Sequence, residues 1–130
     1  ARYMASHGGG AIVNTSSWLA AGALPGSTVY SASKAGIDGL MRPAALELAP
    51  FGIRINNINP GGIDTEMTRA AFQHDSAVLE AFGQAHPRGC MGTPKGTAGL
   101  AAFLLCDRTA NITGQTIFID GGYSIPGQRS

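Results

Sequence analysis

The sequence has 130 residues, enough for one domain with a modest hydrophobic core. A formal net charge of +1 and a charged fraction of 13% exclude the strongly basic surface with which proteins bind nucleic acid or an anionic membrane. No apolar run approaches the length of a membrane span, so we expect a soluble protein of the cytoplasm.

The first predicted elements are the end of a helix and a strand. Residues 1–6 predict the last turns of a helix, and three successive glycines end it. Residues 11–15 are an apolar run between glycine and serine, which predicts a strand buried on both faces of a parallel sheet. Residues 18–26 then predict a loop, in which Trp18 either lines a pocket or only packs in the interior.

A long helix is predicted next, over residues 28–49. Ser27 is the expected N-cap, with Thr28 as the alternative, and Pro50 ends the helix. Pro43 lies inside this helix, where it removes one backbone hydrogen bond and clashes with the preceding turn. We therefore expect a local kink at Pro43.

The next strand carries a candidate binding turn at its end. Residues 53–59 predict this strand, and a helix between two parallel strands makes a right-handed βαβ unit. Residues 60–65 (PGGIDT) then lie at the carboxyl end of the strand, where open α/β sheets bind ligands. The Thr65 hydroxyl could bind a phosphate or a carboxamide. From the residues alone, a plain turn in which Asp64 or Thr65 caps a helix is the better interpretation.

The remaining chain again alternates helix and strand. Residues 66–82 predict a moderately polar helix, residues 97–106 an apolar helix, and residues 115–120 a third strand. A short polar tail covers residues 124–130. The expected fold class is α/β, with three parallel strands and helices on both faces of the sheet.

The cysteines and histidines do not indicate a metal site. Cys90 and Cys106 lack metal-ligand spacing, and we expect buried thiols instead of a disulfide. His74 and His86 fall within or just after the helix predicted for residues 66–82. A lone histidine in such a place is usually a surface or packing residue, so neither receives a role.

Tyr30 and Lys34 are the first candidates for chemistry. Residues four apart on a helix lie on the same face, and a nearby cation favours the phenolate of a tyrosine, which then exchanges a proton more readily. Ser17 follows the predicted first strand, and its hydroxyl could hold the oxygen that Tyr30 protonates or deprotonates. A solvated helix face is the alternative, because the pair alone is weak evidence.

Four segments together resemble the short-chain dehydrogenase/reductase family in order and spacing. They are residues 10–17 (GAIVNTSS), 30–34 (YSASK), 59–65 (NPGGIDT) and 113–123 (TGQTIFIDGGY). The resemblance implies that residues 1–130 are the C-terminal half of a Rossmann-type catalytic domain, a partial doubly wound fold. The sequence departs from the family pattern at Cys90, where arginine is common, and at residues 95–96, where an acidic pair is common.

The resemblance also implies an activity and its residues. It implies hydride transfer between NAD or NADP and a small alcohol or ketone substrate, with Tyr30 as proton donor or acceptor. Ser17 would bind the substrate oxygen, and Lys34 would assist Tyr30 and bind the nicotinamide ribose. The catalytic residues implied are Ser17, Tyr30 and Lys34, and the cofactor-binding residues are Tyr30, Lys34, Pro60, Gly61, Ile63 and Thr65. No residue of this sequence matches the family's fourth catalytic residue, an asparagine on the preceding helix.

A second reading belongs to a different functional class. A truncated or non-catalytic member of the family would act as a structural, oligomer-forming fragment, since the family commonly assembles into homodimers and homotetramers. The presence of Ser17, Tyr30 and Lys34 together favours the enzyme, because a scaffold does not need them. The open edge of the first strand is an expected weakness. The sequence specifies neither the substrate nor the choice between NAD and NADP.

Overall fold

A computed structural model describes residues 1–125 of the chain. Helices and strands alternate along most of it, and the predicted three-stranded α/β class is confirmed. The helices are α1 (Arg2–Ser6), α2 (Thr28–Leu48), α3 (Glu66–Ala71), α4 (Ser76–Gln84) and α5 (Pro94–Leu105), and the strands are β1 (Gly10–Thr15), β2 (Ile53–Pro60) and β3 (Thr116–Ile119). Residues 126–130, most of the predicted tail, lie outside the described residues.

The three strands form one parallel sheet in the order β1-β2-β3. The register pairs Thr15 with Ile58, and Pro60 with Ile119. Because all three strands run the same way, their carboxyl ends meet at one edge of the sheet. Within this sheet β2 is central, which explains why its side chains are almost all buried.

Helices cover both faces of the sheet, as predicted. Side chains alternate between the faces along a strand. Ile55 of β2 packs with Met41 and Ala45 of α2 in the hydrophobic core. The preceding residue, Arg54, points the other way and donates hydrogen bonds of 2.9 Å to the Leu104 carbonyl of α5 and of 3.2 Å to the Cys106 carbonyl after it. Thus α2 and α5 lie on opposite faces.

The boundary predicted for α2 is right at its start, but the capping bond is not made. Ser27 occupies the N-cap position, yet its side chain makes no capping hydrogen bond to the helix. Its hydroxyl donates instead to the Leu24 carbonyl at 2.6 Å. The helix runs without interruption through Pro43 to Leu48.

The prediction of one helix over residues 66–82 is wrong, because the structure has two. Gln73 and His74, between α3 and α4, have positive φ angles of 54° and 57°, which no right-handed helix accommodates. Asp75 then starts α4 by accepting hydrogen bonds from the amides of Ala77 and Val78. A new N-cap inside an otherwise helical pattern explains the error.

Strand β2 buries the polar side chains of Asn57 and Asn59, and hydrogen bonds compensate part of the cost of removing them from water. The carboxylate of Asp38 on α2 accepts one hydrogen bond from the Asn57 amide at 3.0 Å and one from the Asn59 amide at 2.8 Å. Asn14 of β1 donates to the Asn57 side-chain oxygen at 3.0 Å. These bonds join β1, β2 and α2 through side chains, and the Asn59 side-chain oxygen has no hydrogen-bond partner within the described part of the chain.

Both cysteines are free thiols, so the expectation of no disulfide is confirmed. The expectation that they are buried is wrong: Cys90 is exposed and Cys106 is partly exposed. Cys90 lies in the segment between α4 and α5, and Cys106 directly follows the last residue of α5, so neither lies on a core face of a helix or strand.

Within residues 1–125, every helix is too short or too polar to cross a bilayer.

Candidate active site

A cleft of about 560 Å³ opens at the carboxyl ends of β1 and β2. It is bounded on one side by α2 and on the other by α3 and α5. Its lining includes every residue proposed from the sequence for catalysis or cofactor binding: Ser17, Tyr30, Lys34, Pro60, Gly61, Ile63 and Thr65. Residues separated by as many as 48 positions are therefore brought to one place by the parallel sheet.

Ser17 enters the cleft just after β1 ends. Its backbone is extended, with φ −164° and ψ 155°, so it continues the direction of the strand. Its side-chain oxygen accepts a 3.1 Å hydrogen bond from the Leu19 amide and thereby caps the short 3-10 helix Trp18–Ala20. Because a hydroxyl accepts and donates at once, Ser17 can still donate its hydrogen to a ligand oxygen.

Tyr30 and Lys34 lie one turn apart on α2. The Lys34 ammonium donates a 3.0 Å hydrogen bond to the Thr15 carbonyl and lies 5.6 Å from the centroid of the Tyr30 ring. The Ser16 hydroxyl donates to the Lys34 carbonyl at 3.0 Å. Two hydrogen bonds therefore fix this turn of α2 against the end of β1, while the Tyr30 side chain remains 42% exposed to the cleft and solvent.

The turn after β2 is held by main-chain hydrogen bonds to two other segments. The Gly61 amide donates to the Ile119 carbonyl of β3 at 3.1 Å. The Asp64 amide donates to the Gly92 carbonyl at 2.9 Å, and the Gly92 amide donates to the Gly62 carbonyl at 2.8 Å. A side chain at Gly61 would place its Cβ 2.7 Å from the Asp120 Cα, so only glycine permits this approach to the end of β3.

The capping alternative predicted for this turn is confirmed for Thr65. Its side-chain oxygen accepts a 3.3 Å hydrogen bond from the Thr68 amide and starts α3. Asp64 does not cap the helix; it pairs with the Arg69 side chain at 2.9 Å instead. Thr65 also lines the cleft, and its role toward a ligand stays a prediction.

His86, which received no role from the sequence, is a buried residue of this region. Its Nε2 atom accepts a 3.2 Å hydrogen bond from the Gly62 amide, and its Nδ1 atom lies 2.8 Å from the Phe82 carbonyl. Nothing in the local pattern around a histidine after a short helix indicates a partner 24 residues away. Trp18 is buried and packs edge-on to Tyr123, with ring centroids 4.8 Å apart, and it also lines a separate cleft. It therefore both packs in the interior and lines a pocket, although not the pocket of the candidate site.

Comparisons with known proteins agree with this architecture. A family model described as enoyl-(acyl carrier protein) reductase matches residues 1–124. The NAD-dependent glycerol dehydrogenase of Listeria innocua is 40% identical over 124 residues, which are 95% of this chain and 48% of that protein. The chain thus spans about half the length of the curated relatives it matches.

Solved structures of similar proteins superpose closely. Ligand-free aldohexose dehydrogenase of Thermoplasma acidophilum has a TM-score of 0.92 at 31% identity, over 99% of this chain and 53% of that one. ElxO with NADP bound has a TM-score of 0.85 at 34% identity, over 94% of this chain and 49% of that one. Since the family match extends over nearly all of the sequence, the chain belongs to the short-chain dehydrogenase/reductase family.

Proposed function

We propose that the protein carrying this sequence is an NAD(P)-dependent oxidoreductase acting on a small alcohol or ketone. The observation that carries the proposal is the one cleft that contains Ser17, Tyr30 and Lys34 together with the turn of residues 60–65. Similar proteins include an NAD-dependent dehydrogenase and a protein with NADP bound, which supports a nicotinamide cofactor.

The side chains of the cleft fit the nicotinamide end of such a cofactor. The Lys34 ammonium and the Thr65 hydroxyl offer hydrogen-bond donors to sugar hydroxyls and a carboxamide. Ile63 and Pro94 add an apolar wall suited to a flat ring. When bound, the cofactor supplies or accepts the hydride.

Tyr30 is the group that moves the proton. Tyr30 lines the cleft, and the Lys34 ammonium lies 5.6 Å from the centroid of its ring. In the reductive direction Tyr30 donates a proton to the carbonyl oxygen, and in the oxidative direction it removes the proton of the alcohol. A phenol held in place in this way acts as a general acid or base.

Ser17 binds the same substrate oxygen. Its own oxygen is occupied by the Leu19 amide, which directs the hydroxyl hydrogen away from that amide. A donor fixed in advance stabilises negative charge that develops on the oxygen during reduction. Because Ser17 is only 6% exposed, water competes little for this hydrogen bond.

The two lysines of the chain provide a matched test in the natural protein. Lys34→Met removes the cleft ammonium, whereas Lys95→Met removes an exposed ammonium at the start of α5. We expect oxidation of a panel of secondary alcohols with NAD or NADP to fall at least a hundredfold in Lys34→Met, with weaker cofactor binding. Lys95→Met keeps the wild-type rate. Equal effects of the two substitutions, or no turnover by the wild-type protein, would reject the proposal.

A structural, oligomer-forming role is the second candidate. Apolar side chains of α2 are exposed at Val29 (83%), Leu40 (54%) and Leu46 (80%), and exposed apolar surface of this kind marks contact sites. We propose that the natural protein is a homodimer or homotetramer, to be measured as its mass by light scattering. An oligomer without NAD or NADP turnover would favour the structural role, and fractionation of cells would test the predicted cytoplasmic location.

A further inference from the structure

His86 lies where α4 ends, and both of its ring nitrogens are engaged. The residue is 2% exposed. A backbone amide can only donate, so the Nε2 atom, 3.2 Å from the Gly62 nitrogen, is an acceptor without a hydrogen. The hydrogen of the neutral ring is then on Nδ1, which donates to the Phe82 carbonyl at 2.8 Å. This tautomer is set by the two contacts together.

The lack of a side chain at Gly62 leaves room for the His86 ring. A Cβ atom added at Gly62 would lie 2.8 Å from the His86 Nε2 and 2.5 Å from the Phe82 ring, distances that side chains do not tolerate. The absence of a side chain therefore lets the imidazole approach the main chain directly. Gly62 belongs to the turn of residues 60–65, four of whose residues line the candidate cleft.

The same ring is packed from a third direction by the segment after β3. Tyr123 stacks on His86 with ring centroids 4.4 Å apart and an interplanar angle of 27°. Tyr123 also meets Trp18, the residue that follows Ser17, edge-on. The imidazole thus contacts elements that follow β2 and β3, and it is fixed in position by stacking as well as by hydrogen bonds.

We propose that His86 is a positioning residue that holds the 60–65 turn in the conformation that binds the cofactor. This inference rests on the proposed function. The main-chain bonds of Gly61 and Asp64 fix the two sides of the turn, and between them the Gly62 amide is held by the His86 side chain. When that acceptor is lost, the buried amide is unpaired and the turn samples conformations in which it is hydrated. Cofactor affinity falls in proportion to the fraction of molecules that keep the competent turn.

Two substitutions separate the hydrogen bond from the packing. His86→Phe keeps a ring to stack on Tyr123 but removes the acceptor, and His86→Gln keeps an acceptor but removes the ring. His7→Phe is the matched control, because His7 also stacks on a tyrosine, Tyr3, at a centroid distance of 4.0 Å, but lies before β1. Each variant of the natural protein is assayed well below its own Tm for kcat and for the KM of NAD and NADP.

We expect His86→Phe to raise the cofactor KM about tenfold, the usual effect of one buried hydrogen bond, with kcat within about twofold of wild type. His86→Gln should restore the cofactor KM to within about threefold, and His7→Phe should leave it unchanged. An unchanged KM in His86→Phe overturns the inference, as does a His86→Gln variant as impaired as His86→Phe. A merely structural role for His86 would lower Tm and leave the KM unchanged.

Hydrogen exchange of the Gly62 amide gives a second readout that needs no turnover. We expect its exchange rate to rise at least tenfold in His86→Phe and to stay unchanged in His7→Phe. Unchanged exchange in His86→Phe would overturn the inference even in an active enzyme. If His86→Phe does not fold, His86→Gln decides: accelerated exchange at Gly62 together with a tenfold higher cofactor KM would overturn it. A wild-type protein without turnover, but with the predicted exchange, would reject the proposed function and leave the His86 contact established.

Discussion

The Lys34 ammonium donates a 3.0 Å hydrogen bond to the carbonyl of Thr15, the last residue of β1. This bond holds the Lys34 ammonium, which lines the cleft, at the end of the strand that leads to Ser17. The register of β1 against β2, with Thr15 opposite Ile58, fixes that end of the strand relative to the 60–65 turn. Lys34 therefore links the helix that carries Tyr30 to the end of β1, which lies next to Ser17 and is paired with the strand that leads to the 60–65 turn.

Substituting Tyr30 by phenylalanine tests the assigned proton transfer. The change removes only the hydroxyl of a partly exposed ring, so cofactor binding should remain within about threefold of wild type. Turnover should fall by about 10² to 10⁴, the usual contribution of a positioned acid or base. Steady-state rates and cofactor titration of the natural protein measure both effects. Tyr3→Phe, which removes the hydroxyl of an exposed tyrosine on α1, is the control, and equal rates in the two variants would exclude Tyr30 as the proton donor.

Substituting Asp38 by leucine tests the side-chain bridge between α2 and β2. The carboxylate accepts hydrogen bonds from the buried amides of Asn57 and Asn59, and an unpaired buried amide costs about 1–3 kcal/mol. We expect the free energy of unfolding to fall by about 2–4 kcal/mol, measured by urea denaturation. Glu47→Leu, at an exposed acidic position of the same helix, should change it by less than about 0.5 kcal/mol. Similar losses in both variants would contradict a specific role for Asp38.

Local sequence patterns predict the strands, and they place Tyr30 and Lys34 on the same face of a helix. These features depend on neighbouring residues: an apolar run bounded by turn residues predicts a buried strand, and a separation of four places two side chains on one helix face. The parallel order of the strands brings their carboxyl ends to one edge, so the proximity of Ser17 to the 60–65 turn also follows from the predicted fold. The family resemblance supplied the chemical roles, which are proposals for this chain.

The contacts that could not be predicted join residues distant in the sequence through side chains. Asp38 meets Asn59 across 21 positions, and His86 meets Gly62 across 24. Neither contact leaves a periodic pattern, because the first depends on how α2 packs on the sheet and the second on how the segment after α4 meets the 60–65 turn. The break between α3 and α4 has a local cause that the sequence pattern does not indicate: Gln73 adopts a positive φ, a conformation that its residue type rarely takes.

The carboxyl group of Asp120 is expected to make the free energy of unfolding vary with pH in the acid range. Burial acts to raise the pKa of Asp120, but hydrogen bonds from the Ser124 hydroxyl and amide and from the Gly122 amide outweigh it and hold the pKa below its ordinary value. A carboxyl with a lower pKa in the folded state stabilises the protein above its unfolded pKa, about 3.9. That contribution is lost as the pH falls through the folded value.

Asp120→Asn removes this titration. We expect the natural protein to be more stable than Asp120→Asn at pH 7, and the difference to shrink as the pH falls below about 4. Urea unfolding at several pH values measures it. Glu80→Gln, at an exposed position of α4, controls for loss of one carboxylate. A difference between wild type and Asp120→Asn that stays constant from pH 7 to about pH 3 would show that Asp120 does not titrate with folding.

Substituting Pro43 by alanine should stabilise the protein. Pro43 lies in the interior of α2, where proline costs about 3 kcal/mol relative to alanine because it lacks the amide hydrogen and clashes with the preceding turn. Proline also restricts the unfolded chain, which favours folding by about 0.4–1 kcal/mol. The helix penalty is larger, so Pro43→Ala should raise the free energy of unfolding by about 2 kcal/mol.

The control for this substitution is Arg42→Ala, which truncates the adjacent exposed residue of the same helix and should shift the free energy by less than about 0.5 kcal/mol. Urea denaturation of the natural protein and both variants gives the values. A lower unfolding midpoint for Pro43→Ala would mean that the helix geometry at Pro43 improves the packing of Met41 and Ala45 against Ile55. The proline would then stabilise the core by more than it costs the helix, and the helix-penalty argument would fail at this position.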